Sequence, residues 1–229
     1  DAGATIQGSV PYKPPGERPD AKGHSEDTAY FDEAPGIGPG MKEKLSLDIP
    51  ADSQPWKGLV LHHSASPDGQ VRDWDGIRKY HTSYRVDFKM VTKDEFMRLL
   101  EIKGGTVFQG AWSDIGYHWG VERVENRLQA IPGRPMAKIG AHSAVKGASG
   151  MFNVKYMGFC VVGNYDAAAP DKELWEFCLK AVRTFMEHFR FPAGHVIGHR
   201  EVFQKLGVPV QKSCPGKAWD MEMFRKDLV

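Results

Sequence analysis

Cysteine is scarce in this chain. Cys160, Cys178 and Cys214 are the only three, and an odd number excludes a fully paired disulfide framework and leaves at least one thiol free, metal-bound or intermolecular. There is no apolar run near the roughly 18 residues that a membrane-spanning helix needs. Excess charge of either sign is also missing: 30 basic against 29 acidic side chains give a formal net charge of +1. That balance excludes a general electrostatic pull toward nucleic acid or anionic lipid, so a partner must be recognised locally. The first residue, Asp1, is not Met, which fits either a processed export product or a trimmed chain.

What is present falls into two textures. Residues 1–55 are dense in glycine and proline, as in Val10-Pro11-Tyr12-Lys13-Pro14-Pro15-Gly16 and Pro35-Gly36-Ile37-Gly38-Pro39-Gly40, with neither helical nor strand periodicity. They read as an extended arm or linker, either a tether or an arm docked on the domain. From Trp56 to the C-terminus, short apolar runs alternate with helical patterns, as in an α/β domain. Strands are expected at Leu59–His63, Tyr117–Val121, Gly158–Val162 and His195–Ile197. Helices are expected at Trp74–Tyr84, Asp94–Ile102, Leu174–Phe189 and Trp219–Leu228, the third a strong amphipathic series.

Nine histidines are scattered along the chain, and what distinguishes a few is placement. His62 follows the apolar run Gly58-Leu59-Val60-Leu61, and His199 follows His195-Val196-Ile197-Gly198. Cys214 lies farther on, in Lys212-Ser213-Cys214-Pro215-Gly216. Strand ends open onto the crevice where α/β sheets hold ligands. Two imidazoles and one thiolate would leave the fourth tetrahedral position of zinc open, the pattern of a catalytic rather than a closed structural site. On spacing alone His63 and His195 are equally available as ligands.

Taken in order, several segments carry a resemblance: Leu61-His62-His63-Ser64-Ala65, Ile115-Gly116-Tyr117-His118, Gly140-Ala141-His142, Asn153, Val162-Gly163-Asn164, Gly198-His199-Arg200-Glu201 and Lys212-Ser213-Cys214-Pro215. The set resembles the type 2 N-acetylmuramoyl-L-alanine amidase family, which includes phage amidase-type lysozymes and peptidoglycan recognition proteins, over roughly Trp56 to the C-terminus. The resemblance implies an α/β single domain over 56–229 with a central mixed β-sheet flanked by helices, behind the Gly/Pro-rich arm of 1–55. It also implies an insertion near 85–111, since this connection is shorter in phage-type relatives. That segment is expected beside the groove, with a surface excursion as the alternative.

The resemblance implies zinc (Zn2+) held by His62, His199 and Cys214, with His63 in a supporting role. Tyr117 and Lys212 fall on catalytic positions of the family, suited to stabilising a developing oxyanion. His142 and Asn153 match positions lining the substrate groove. Some members place a glutamate on the strand that here reads Gly158-Phe159-Cys160-Val161-Val162. Cys160 stands at that position, so the chain follows the tyrosine and lysine version. Cys160 reads as a small buried hydrophobe, with pairing to Cys178 left open. Glu201 is given no catalytic part, with Arg200 or backbone as its expected partner.

The implied activity is cleavage of the amide between N-acetylmuramic acid and L-alanine in bacterial peptidoglycan, at an extracytoplasmic location. The alternative is a recognition module that binds the wall without cutting it. Such members lose the cysteine ligand, which this chain keeps. A zinc deaminase would need a His-x-Glu together with a Pro-Cys-x-x-Cys, a combination that is absent because the chain has no Pro-Cys-x-x-Cys.

Overall fold

In the computed structural model, residues 43–66, 73–102, 107–145 and 150–229 are described. Residues 1–42 of the expected arm lie outside them. Five strands build the central sheet: β1 (Gly58–His63), β5 (Trp119–Val124), β6 (Arg127–Pro132), β7 (Tyr156–Val161) and β8 (Val196–Gly198), in the order β6-β5-β7-β1-β8. Strands β5, β7, β1 and β8 are parallel to one another, and β6 closes one edge antiparallel to β5, so the sheet is mixed.

The alternation of side chains across β1 and β7 divides the molecule. Leu59, Leu61, Met157, Phe159 and Val161 enter the larger core, where they meet the long helix α4 (Lys172–Phe189) and the C-terminal α6 (Met221–Leu228). Helix α4 forms as the periodicity predicts, burying Leu174, Cys178, Ala181, Val182 and Phe185. Its first turn is capped by Asp171, whose Oδ1 accepts the Leu174 N–H at 2.8 Å. The other face carries Val60, His62, Gly158 and Cys160, with His62 directly opposite Cys160 in the parallel register. Residues ahead of β1 also join the larger core. Leu45, Leu47 and Ile49 pack against it, and the Thr184 hydroxyl donates to Leu45 O at 2.7 Å.

Several expectations are corrected. The second strand starts at Trp119 rather than Tyr117, because the chain is still turning there: Tyr117 O accepts the Arg134 N–H at 2.8 Å and lies outside the ladder. Strand β6 is absent from the sequence reading. It has no buried residue, with Arg127 and Gln129 exposed, and its Glu125–Asn126 turn, with both residues at positive φ (49° and 61°), uses none of the usual glycine signals. Helix α5 (His199–Lys205) is also absent from it, being seven residues long and starting one residue after β8. The reading of Cys160 as a small buried hydrophobe holds, and it does not pair with Cys178: both are free and buried with the sheet between them, Cys160 in the small cluster of Trp74, Ile77 and Ile115 and Cys178 in the α4 core.

The segment between helix α1 (Trp74–His81) and Trp112 has a structure of its own. Strands β2 (Tyr84–Val86), β3 (Lys89–Val91) and β4 (Phe108–Gln109) form a second sheet in the order β3-β2-β4. Helix α2 (Lys93–Ile102) covers it by setting buried Phe96 against the rings of Tyr84 and Phe108, with centroids 4.9 and 5.5 Å away.

Candidate metal centre and active-site cleft

The C-terminal end of β1 delivers His62 to a cleft of about 500 Å³. His199, first residue of α5, reaches the same point because β8 lies beside β1 and the chain turns from strand to helix at Gly198. Glu201 secures that turn by accepting the Gly198 N–H at 2.7 Å. Its charged partner is Arg225, at 2.9 and 3.0 Å, and not Arg200.

Arg200 has a different task. Its backbone N–H donates to Cys214 O at 2.7 Å, and its guanidinium donates to the carbonyls of Ser213, Gly216 and Trp219 at 3.1, 2.6 and 2.7 Å. It therefore clamps the loop that brings Cys214 to His62. The sequence reading missed this role, since the only signal was adjacency to His199.

Among the described residues, one atom each from His62, His199 and Cys214 forms a group with all separations within 4.8 Å, and all three residues are buried. The His62 Nδ1 to Cys214 Sγ distance is 3.6 Å. A tetrahedral zinc with ordinary bond lengths would set nitrogen and sulfur about 3.6 Å apart. His199 Nε2 is buried without a hydrogen-bond partner. Burial, aided by the charge of Lys212, pushes His199 down to about 3, and burial with the neighbouring His199 and His142 pushes His62 well below its ordinary value. Neutral imidazoles offer lone pairs. Burial raises the Cys214 thiol to about 12, although the His63 N–H and the charges of Lys212 and Arg200 oppose it. A buried thiolate needs a cation beside it, and two nitrogens, one sulfur and an open fourth direction fit zinc.

The surrounding residues hold this group in place. His62 Nε2 lies 3.0 Å from His142 Nδ1, and His142 Nε2 lies 3.2 Å from Tyr156 O. Because a carbonyl only accepts, this chain assigns the His142 proton to Nε2 and the His62 proton to its own Nε2, leaving His62 Nδ1 free toward Cys214. His142 thus lines the cleft with both ring nitrogens already engaged. It fits against the sheet because Gly158 has no side chain: a Cβ there would sit 2.5 Å from the ring. His63 accepts the Tyr165 N–H at its Nδ1 and donates its own backbone N–H to Cys214 Sγ at 3.4 Å. His195 turns away, its Nδ1 lying 2.7 Å from Lys57 O.

Tyr117 sits with its ring centroid 5.0 Å from that of His62, partly exposed to the cleft. The protein packed about its hydroxyl, with Cys160 and Cys214 close by, raises it well above the ordinary phenol value, so it stays a donor. Lys212 lines the same cleft. Asn153 does not reach it: its Oδ1 accepts the backbone N–H groups of His142 and Ser143, each at 2.9 Å, and the Ser143 hydroxyl. That oxygen holds the His142 loop, the turn role its residue type also allows. The 85–111 segment contributes Arg85, Phe88 and Gln109 to the wall.

The sequence profile of the family described as N-acetylmuramoyl-L-alanine amidase matches residues 52–217. No curated protein matches the chain. Among solved structures, it is similar to the N-acetylmuramoyl-L-alanine amidase LysC from Clostridium intestinale URNW, at 17% identity and a TM-score of 0.49, covering 81% of this chain and 95% of that one. The endolysin amidase LysCS from the same organism gives 18% identity and a TM-score of 0.48, covering 83% and 98%. The ectodomain complex of peptidoglycan recognition proteins LCa and LCx, solved with tracheal cytotoxin bound, gives 16% identity and a TM-score of 0.46, covering 86% and 92%.

Proposed function

Because the chain belongs to the N-acetylmuramoyl-L-alanine amidase family, we propose that it hydrolyses the amide joining N-acetylmuramic acid to L-alanine in bacterial peptidoglycan, outside the cytoplasm where that polymer lies. The observation that carries this reading is the convergence of His62, His199 and Cys214, buried but opening onto a cleft that Tyr117 and Lys212 also line. Zinc held by these three supplies Lewis-acid polarisation of the scissile carbonyl and activation of water. The protein's own groups do the rest. His142 and Arg200 hold two of the three ligands in position. The Tyr117 hydroxyl donates to the oxygen that gains negative charge as the carbonyl becomes tetrahedral, and the Lys212 ammonium adds a fixed positive charge.

The test is digestion of purified peptidoglycan with mass analysis of the fragments, with and without a chelator. Release of intact stems bearing a free L-alanine amine, abolished by chelation and restored by zinc, is expected. Activity surviving verified metal removal, or cleavage at another bond, overturns the reading. Binding of the wall without any release reassigns the protein as a recognition module.

Tyr117→Phe keeps the ring and removes one donor, so kcat should fall by about one to three orders of magnitude with KM little changed. A rise in KM alone would move Tyr117 to substrate positioning.

A further inference from the structure

We infer that Arg85 and Gln109 form a subsite for a free carboxylate of the peptide stem, in the same cleft as His62, His199 and Cys214. The inference rests on the amidase reading for the identity of the stem.

Arg85 is 2% exposed. Its guanidinium lies over the Tyr80 ring at 4.5 Å and near the Trp112 ring at 5.5 Å. Ring faces attract the cation but accept no directed hydrogen bond in the guanidinium plane. Its Nε and Nη2 are buried in the cleft wall and find no acceptor among the described residues. Nearby acids are committed elsewhere: Asp114 to Arg78 and the Ile115 N–H, and Asp87 to the Val107 N–H. A buried guanidinium without a carboxylate is costly, and such a cost persists where a ligand removes it.

Gln109 lies opposite Arg85 in the β2–β4 register, lines the same cleft, and has its Oε1 buried without a donor. Even turned toward Arg85, one amide oxygen would meet only one of its donors. An unpaired donor fork beside an unpaired acceptor matches a carboxylate with an N–H next to it, the chemistry of an amino-acid unit. Lys212 adds positive charge to the cleft, and Asp166, its acidic residue, is engaged by the Ser213 hydroxyl and the Lys217 N–H.

A stem peptide offers two such groups: the α-carboxylate of a γ-linked D-glutamate, and the side-chain carboxylate of a diaminopimelate third residue. The free tripeptide L-Ala-γ-D-Glu-meso-diaminopimelate, amidated at its C-terminus, contains no muramoyl amide, so its binding is read without turnover. Calorimetry would compare it with two analogues, one amidated at the glutamate α-carboxyl and one at the diaminopimelate side-chain carboxyl. On the wild-type protein, one analogue should bind about 10- to 100-fold more weakly than the parent, which identifies the carboxylate. In Arg85→Met, parent and analogue should bind alike to within about twofold, and Arg85→Lys, which keeps charge but loses the fork, should fall between.

Equal binding of all three peptides to the wild type, or no binding of any, overturns the subsite, and so does a gap between parent and analogue that survives in Arg85→Met. The wild-type comparison stands even if a variant fails to fold. Stem release from peptidoglycan is measured separately: release without the carboxylate preference leaves the amidase reading and removes the subsite, and the preference without release does the reverse.

Discussion

The two nitrogens of His62 face different tasks, and the hydrogen bond to His142 decides which does which. With Nε2 donating to His142, Nδ1 is presented toward Cys214. His142→Leu removes the acceptor and lets both tautomers of His62 compete, so zinc affinity, measured by chelator competition, should fall about 10- to 100-fold. His142→Asn can place its Oδ1 close to the position of the lost Nδ1 and should recover most of it. Equal loss in both variants would mean that His142 serves only to fill space. His62, His199 and Cys214 were legible in the sequence through the ordered motifs of the resemblance, since spacing alone left His63 and His195 equally available. Asn153 and Arg200 were not legible in the same way, because what each touches depends on loops that return from elsewhere in the chain. Arg85 carried no signal at all. One arginine in a three-residue strand looks like any other until its aromatic neighbours arrive from α1 and from the loop before Tyr117.

Elements with a long period were read well, and short ones were not. Helix α4 has five turns over which its apolar stripe can repeat, and β1 and β7 are buried throughout because both faces are covered. Strand β6 and helix α5 have no such repetition, and their existence follows from pairing with β5 and from the turn at Gly198. The same geometry makes the two halves of the molecule separable in energy. Asp171 caps α4 on the face of the sheet away from the cleft. Asp171→Ala should therefore cost about 1 kcal/mol of stability while leaving zinc affinity unchanged. Denaturant midpoints and chelator competition on the same preparation check this, and a matching loss of zinc affinity would show that α4 and the metal centre are coupled.

At the scale of the whole molecule, several histidines are held neutral by burial. His118 is pushed down to about 4 and His81 to about 3, in each case chiefly by desolvation. The unfolded chain takes up protons on these rings from about pH 6.5 downward, whereas the folded chain does not, so unfolding is favoured as the pH falls. Their stabilisation is complete above pH 6.5 and is lost between there and pH 3 to 4. Each ring subtracts at most about 1.4 kcal/mol per pH unit in that window. Urea midpoints of the metal-free protein should drop clearly between pH 7 and pH 5, and a flat profile would mean that these rings are protonated in the fold.

The position of the sheet between Cys160 and Cys178 also has a redox meaning. Neither thiol can reach the other, so the folded chain cannot form this disulfide even in an oxidising milieu. A Cys160–Cys178 bond must arise from an unfolded or misfolded chain and would block its return. Recovery of this protein from denaturant should therefore be higher with reductant than with an oxidant that lets Cys160 and Cys178 pair.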